Sequence, residues 1–487
     1  MFKSRLLLVL VLLLVALIGL FLFTYLFLSK YHVVEFGTSS KIIPLSSETS
    51  ISVVLSNATS SSIIVSTSSP GISVGNPLTV PPRVNTDIAP QKPLLNPPAI
   101  IKAVYATSWS AGSPKKMNYL IDLIKNTELN AIVIDIKDFS GFVAYDTEVD
   151  LVKQYNAREY RIAKINSLIK ELHDAGIYVI ARVSIFQDPR LALARPDLAL
   201  MSSSTGAVWK DKLGLSWIDP ASRDAWDYNI AIAREALERG FDELNFDYIR
   251  FPSDGDLADI KYPFWQKART GAETKSEVIR NFFKFLREQL PDAKLSADLF
   301  GLVTVELGDL GIGQNLENAF PYFDYIAPMV YPSHYHHGFI GYQNPAKYPY
   351  EVIKYSMEAA LARLTTYNLR QTTSTSSELA TSSEPTTNPE ELRNGAGNQQ
   401  PTTISELTTN NQQLATNNES SVVSRESLVG AKLRPWLQDF DLGANYDASM
   451  IRREIQAVYD AASNTPDIIS GWMLWSPTNI YTRDALE

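Results

Sequence analysis

From about residue 100 onward the chain alternates short runs of β-branched and apolar residues with longer amphipathic stretches, the pattern of a parallel sheet wrapped by helices. Strands of such a sheet are buried on both faces, so they read as near-continuous apolar runs. The runs fall at Lys102 to Trp109, Ala131 to Asp138, Ile177 to Phe186, Glu243 to Pro252, Leu295 to Gly301, Tyr325 to Pro332, Leu433 to Phe440 and Gly471 to Pro477. Eight such runs predict an α/β fold of the closed (β/α)8 barrel type over residues 100–487. Helical patterns lie between most of them, at Pro114 to Asn126, Ile162 to Ala175, Ser222 to Arg239, Ser276 to Leu290, Pro349 to Thr365 and Ser449 to Ala462; only a short one, Asp309 to Phe320, follows the fifth run. Gly176 and Gly240 fit helix ends, and Ser222, Ser276 and Ser449 fit helix starts. The rival is a doubly wound open sheet. Its dinucleotide-binding form needs a glycine-rich phosphate turn after the first strand, which Ser110-Ala111-Gly112-Ser113 does not supply.

The first thirty residues differ in kind. Lys3 and Arg5 precede an apolar run from Leu6 to Leu28, long enough at about 1.5 Å per residue to cross a hydrocarbon core of roughly 30 Å. The run ends Leu26-Phe27-Leu28-Ser29-Lys30 without the small residues of a cleavage site, so an uncleaved transmembrane anchor over residues 1–30 is expected. Basic residues before the span favour a cytoplasmic N-terminus and put the rest of the chain outside the cytoplasm, a single-pass protein of the cell membrane. Residues 31–99, rich in Ser, Thr, Val and Pro, read as a low-complexity linker with a short β-rich patch around Ile51 to Leu55. A second polar stretch, about 372–423, is dominated by Thr, Ser, Asn, Gln and Glu and reads as a disordered insertion before the seventh strand.

The 487 residues are 45% hydrophobic and 20% charged, enough for a large core, and the net charge of −9 offers no basic stripe for nucleic acid. With no cysteine, thiolate metal sites, cysteine nucleophiles and disulfides are excluded. No cofactor is called for.

Barrel enzymes carry their chemistry at the C-terminal strand ends. Here the second strand ends Asp135-Ile136-Lys137-Asp138, the fourth runs Asn245-Phe246-Asp247-Tyr248-Ile249-Arg250, and the fifth carries Asp298. Buried carboxylates need partners or a function. Asp135 with Lys137, and Asp247 with Arg250, can be internal ion pairs. Asp298 has no basic neighbour on its own strand end. The functional reading is glycoside hydrolysis, with Asp247 and Asp298 as the two flanking carboxyl groups: Arg250 keeps Asp247 ionised and a less solvated Asp298 stays protonated as the acid. Trp109, Tyr248, Tyr331, Trp436 and Trp475 fall in or near strand ends and offer flat faces for sugar rings. Asp135, Lys137, Asp138, Arg250 and His334 complete the expected substrate contacts. His334, His336 and His337 leave a zinc site open as a weaker reading, with substrate hydrogen bonding favoured. No Gly-x-Ser-x-Gly elbow is present.

Five segments carry a family resemblance: Tyr105 to Ser113, Leu129 to Asp138, Phe246-Asp247-Tyr248-Ile249-Arg250-Phe251-Pro252, Ala327 to Tyr335 and Gly471-Trp472-Met473-Leu474-Trp475. Through them the chain resembles a family of glycosyl hydrolase domains whose activity is assigned mainly by fold. The resemblance implies a TIM-type barrel related to the alpha-amylase-like glycosidases, where a fourth-strand aspartate commonly serves as nucleophile; Asp247 matches it. Those enzymes place an arginine two residues earlier, where this chain has Asn245, and a glutamate as the fifth-strand acid, where it has Asp298. The expected function is therefore an anchored hydrolase of a cell-envelope or extracellular polysaccharide. The alternative is a non-catalytic barrel that binds glycan and organises the cell surface.

Overall fold

Strand pairing closes on itself, which excludes the open sheet. In the computed structural model, which describes residues 87–265, 271, 273–381 and 430–487, the barrel strands are β1 (Ile101–Ala106), β2 (Ala131–Lys137), β3 (Tyr178–Ser184), β4 (Glu243–Asp247), β5 (Leu295–Phe300), β6 (Tyr325–Met329), β7 in two pieces (Lys432–Leu433 and Trp436–Gln438) and β8 (Gly471–Trp475). All neighbours are parallel. The first piece of β7 pairs with β6 through Tyr325 and Lys432, the second pairs with β8 through Trp436 and Met473, and β8 meets β1 through Gly471 and Ile101. The break in β7 falls at Arg434-Pro435, where proline has no N–H to give to the ladder.

Around the strands lie α1 (Pro114–Lys125), α2 (Ile165–Asp174), α3 (Arg223–Arg239), α4 (Lys275–Gln289), α5 (Leu316–Ala319), α6 (Pro349–Thr381) and α7 (Ala448–Ala461). Ser222 caps α3 as expected, but the caps of α4 and α7 are Thr274 and Asp447 rather than Ser276 and Ser449. Thr274 and Glu277 form a reciprocal capping box, and the Asp447 carboxylate accepts from Met450 N at 2.9 Å. Gly176 and Gly240 do end their helices in the left-handed region. Helix α6 continues to Thr381, into the stretch that reads as an insertion. The rest of that insertion, the apolar span Leu6 to Leu28 and the linker up to residue 86 lie outside the described residues. Among the described residues no helix is long and apolar enough to cross a membrane.

Asp87 and the residues after it belong to the same compact unit as the barrel. The Asp87 carboxylate accepts from Asn166 N at 2.7 Å and Ser167 N at 3.0 Å, which satisfies the open amides of the first turn of α2. Farther on, Leu94 N donates to Asp242 at 2.6 Å, and Pro93, Leu94 and Pro97 lie with Tyr178 and Tyr325 at the N-terminal end of the barrel.

The core has two shells. Between strands and helices lies a large apolar layer that includes Phe186, Trp226, Phe282 and Phe283, where each buried phenyl group contributes about 1.5 to 3 kcal/mol. Inside the barrel lies a smaller cluster, Ala103, Tyr105, Val133, Ile180, Ala327, Trp436 and Met473 among them. Above that inner plug, toward the C-terminal strand ends, the inward positions turn polar. The closing seam is tight: Gly471 sits at φ 110, and a Cβ there would overlap the Ile101 carbonyl oxygen. Gly471→Ala is expected to lower stability by about 3 kcal/mol, read as a drop in the urea midpoint at an unchanged slope.

Candidate active site

A single guanidinium organises the polar top of the barrel. Arg182, on β3, reaches Asp135 of β2 (Nη1 to Oδ1, 2.6 Å), Asp247 of β4 (Nη2 to Oδ2) and Asp298 of β5 (Nε to Oδ2, 3.3 Å). Its ring neighbours are Trp475 and Tyr105, whose centroids lie 5.0 and 5.6 Å from the guanidinium carbon. Those two rings stack on each other at 3.8 Å. The Tyr105 hydroxyl donates to Asp135 as well. Sequence reasoning missed Arg182, although a signal was present: one arginine, the only charge, stands in the mostly apolar β3 run, with the same strand parity as inward-facing Tyr178 and Ile180.

Asp247 and Asp298 are thus brought together, but by Arg182 rather than Arg250. At Asp247 the strand stops, because Tyr248 enters the left-handed region at φ 52, a strained position for a bulky residue. The turn lets Tyr248 N donate to Asp247 Oδ1 at 2.6 Å. Asp298 is 1% exposed. Its Oδ1 accepts from Trp436 Nε1 at 2.7 Å and from Asn245 Nδ2 at 2.8 Å. Asn245 therefore supplies a neutral donor.

Three buried carboxyl groups around one cation cannot all ionise cheaply. Burial, and then the Asp247 charge, push Asp298 up to about 7 against the opposing pull of Arg182, Asn245 and Trp436. Burial also raises Asp135, with Arg182 opposing. Burial alone would lower Arg182, but Asp135, Asp247 and Asp298 outweigh it and hold the guanidinium well above its ordinary range. With two N–H donors on Oδ1, the Asp298 proton belongs on Oδ2.

The other expected contacts divide. Trp475 and Tyr331 line the same interior, Tyr331 packing edge-on to Phe440 at 5.8 Å. Trp436 is fully buried, so it is a donor to Asp298 and not a stacking surface. Lys137 is corrected too: pairing slips between Asp135 and Lys137, and the lysine is sealed with Asp188 at 2.8 Å and Ser184 O at 2.5 Å. The same slip separates Asp135 from Lys137, so that pair does not form. Asp138 joins a separate rim cluster, paired with Arg161, whose guanidinium lies 4.9 Å from the ring of Trp109; Trp109 is 60% exposed. Arg250 makes no contact with the Asp247 carboxylate, whose cation is Arg182.

His334 is pushed down to about 4 by burial, so its imidazole is neutral at pH 7. Ser333 Oγ gives its proton to Gln438 Oε1 at 2.8 Å, hence the 3.0 Å bond to His334 Nδ1 requires the Nδ1–H tautomer. Among the described residues no three His, Asp or Glu converge as a metal-ligand set.

Residues 103–374 and 394–481 match the family model described as "Putative glycosyl hydrolase domain". The chain belongs to this family. A hypothetical protein from Ruminiclostridium thermocellum is 40% identical over 40% of this chain and 96% of its own, with a TM-score of 0.37. The PgaB (BpsB) glycoside hydrolase domain from Bordetella bronchiseptica is similar at 14% identity over 80% of this chain and 99% of its own, TM-score 0.46. The alpha-galactosidase TtGalA from Thermus thermophilus is similar at 13% identity over 56% of this chain and 50% of its own, TM-score 0.34. No curated protein matches.

Arg182→Met leaves Asp135, Asp247 and Asp298 without their shared cation and is expected to cost about 3 to 5 kcal/mol in denaturant unfolding. Arg182→Lys, a point charge without the fork, should recover only part of that loss.

Proposed function

We propose that this glycosyl hydrolase domain is an active glycosidase, anchored outside the cytoplasm by its N-terminal span, that cleaves a cell-envelope or extracellular polysaccharide. The observation that carries the reading is the pair of unlike carboxyl groups on neighbouring donors of one guanidinium. Asp247 is the ion-paired carboxylate, and Asp298 keeps its proton to about pH 7. Glycosidic cleavage needs that asymmetry. Asp298 gives its Oδ2 proton to the departing oxygen. Asp247 attacks the anomeric carbon or draws a proton from the water that does so. As Asp298 becomes a carboxylate, Arg182 Nε is already in place to balance the new charge. Partly buried Trp475 offers an apolar face and the neutral His334 a hydrogen-bonding group, whereas Tyr331, 6% exposed, is packing rather than a platform.

The non-catalytic glycan-binding reading draws support from burial, since Asp298 is 1% and Asp247 6% exposed and both are in ion pairs. Release of reducing ends from a polysaccharide panel by the full chain separates the two. Asp247→Asn is expected to abolish release, and Asp298→Asn to slow it by about 10² to 10⁴ while sparing aryl glycosides whose leaving group needs no proton. Equal activity in both variants would overturn the assignment.

The pH dependence has a fixed sign. Activity through protonated Asp298 should fall as pH rises through about 7. An unfolded aspartate releases its proton near 3.8, whereas folded Asp298 holds it to about 7, so its contribution to stability declines between those values and is flat above them. Asp298→Asn should remove that decline in melting temperature measured across the same range.

A further inference from the structure

Five arginines are buried among the described residues, and four of them, Arg161, Arg182, Arg239 and Arg434, sit in ion pairs. Arg250, 8% exposed, meets no carboxylate within 4.0 Å. Its Nη1 spends both protons inside the protein, on Phe251 O and Ser253 Oγ, each at 3.1 Å. The rings of Phe300, Trp217 and Tyr248 surround the guanidinium at 4.6, 4.9 and 5.4 Å. Rings favour a cation over their faces but accept nothing from its in-plane N–H groups. The Nε and Nη2 edge therefore has no protein acceptor among the described residues.

The nearby acids Asp247, Asp254 and Asp211 all lie beyond 4.0 Å of Arg250 and are bonded elsewhere, Asp254 accepting from Lys212 N at 3.1 Å. Asp247 is bound to Arg182 and Tyr248 N, and Asp211 accepts from Gln187 and Trp217. The edge also lies at the barrel mouth, because Tyr248 directly follows Asp247 and Phe300 stands two residues beyond Asp298 on the same strand, hence on the same face. A mostly buried cation without an ion-pair partner is costly, and a two-donor planar edge matches an oxyanion bidentately. A sugar hydroxyl can fill one N–H but leaves the charge unbalanced.

We propose that Arg250 recognises an oxyanion on the sugar seated beside Asp247, so the glycan is acidic, its carboxylate or phosphate lying in the plane of the Nε and Nη2 edge. This rests on the mouth being a glycan site, as proposed above, and adds the charge class of the glycan. The burial that lowers Arg250's hold on its proton is relieved when the anion docks.

The test is calorimetric binding to the full chain, carrying Asp247→Asn to stop turnover. The probes are galacturonate, glucuronate and mannuronate oligomers, their carboxyl-reduced counterparts, and a polymer of glycosyl phosphates. At least one acidic probe is expected to bind, with affinity about tenfold or more weaker after carboxyl reduction and after Arg250→Gln. Binding of the phosphate polymer alone, lost in Arg250→Gln, assigns the oxyanion as phosphate. The proposal is overturned if no acidic probe binds, or if reduced and acidic oligomers bind equally. The second comparison uses intact Arg250, so it stands even if the variant does not fold. Arg250-dependent binding with no reducing ends released by the unmutated chain would uphold the anion site and overturn the hydrolase reading. Cleavage of a neutral glycan at equal rates with Arg250 or Gln would do the reverse.

Discussion

The ion cluster around Arg182 is the interaction on which the rest of this structure depends. Seven of the eight strands feed it: Tyr105 from β1, Asp135 from β2, Arg182 from β3, Asn245 and Asp247 from β4, Asp298 from β5, Trp436 from β7 and Trp475 from β8. No two or three strands could assemble it alone, so the site exists only when the barrel is closed. The dependence also runs the other way. A strand that slipped by one residue would carry its charge to the helix side, away from the Arg182 cluster, and strand register is thereby specified by charge as well as by apolar pattern.

The eight strands were legible because both faces of each are buried, which writes an apolar run that turns and helices cannot imitate for long. Their ends were less so. β4 stops at Asp247 because Tyr248 takes a left-handed turn, and β7 splits at Arg434-Pro435; apolar pattern records neither. The caps at Thr274 and Asp447 were each read two residues late, since serine is a common cap and only the hydrogen bond distinguishes candidates so close together.

In the site, Asp247 and Asp298 were readable as carboxylates placed where burial is costly. Their cation was not, because Arg250 is near in sequence whereas Arg182 is near in space. Lys137 shows the limit of parity arguments most plainly. Two residues from Asp135 it should share a face, yet a single slip in pairing turns it to Asp188. Trp436 shows another: an indole at a strand end reads as a sugar platform, and its N–H instead tunes an acid.

Chain entry and chemistry occupy opposite ends of this barrel. Pro93, Leu94 and Pro97, just ahead of β1, lie against Tyr178 and Tyr325, and Gly430 comes just before the N-terminal end of β7. Both are on the floor of the barrel, whereas every group around Arg182 is at its roof. Segments appended or inserted at the floor can therefore change in length and composition without passing through the network of hydrogen bonds at the roof. Such a chain can be lengthened there over evolutionary time while its roof stays fixed, so variation among relatives should accumulate at one pole and be suppressed at the other.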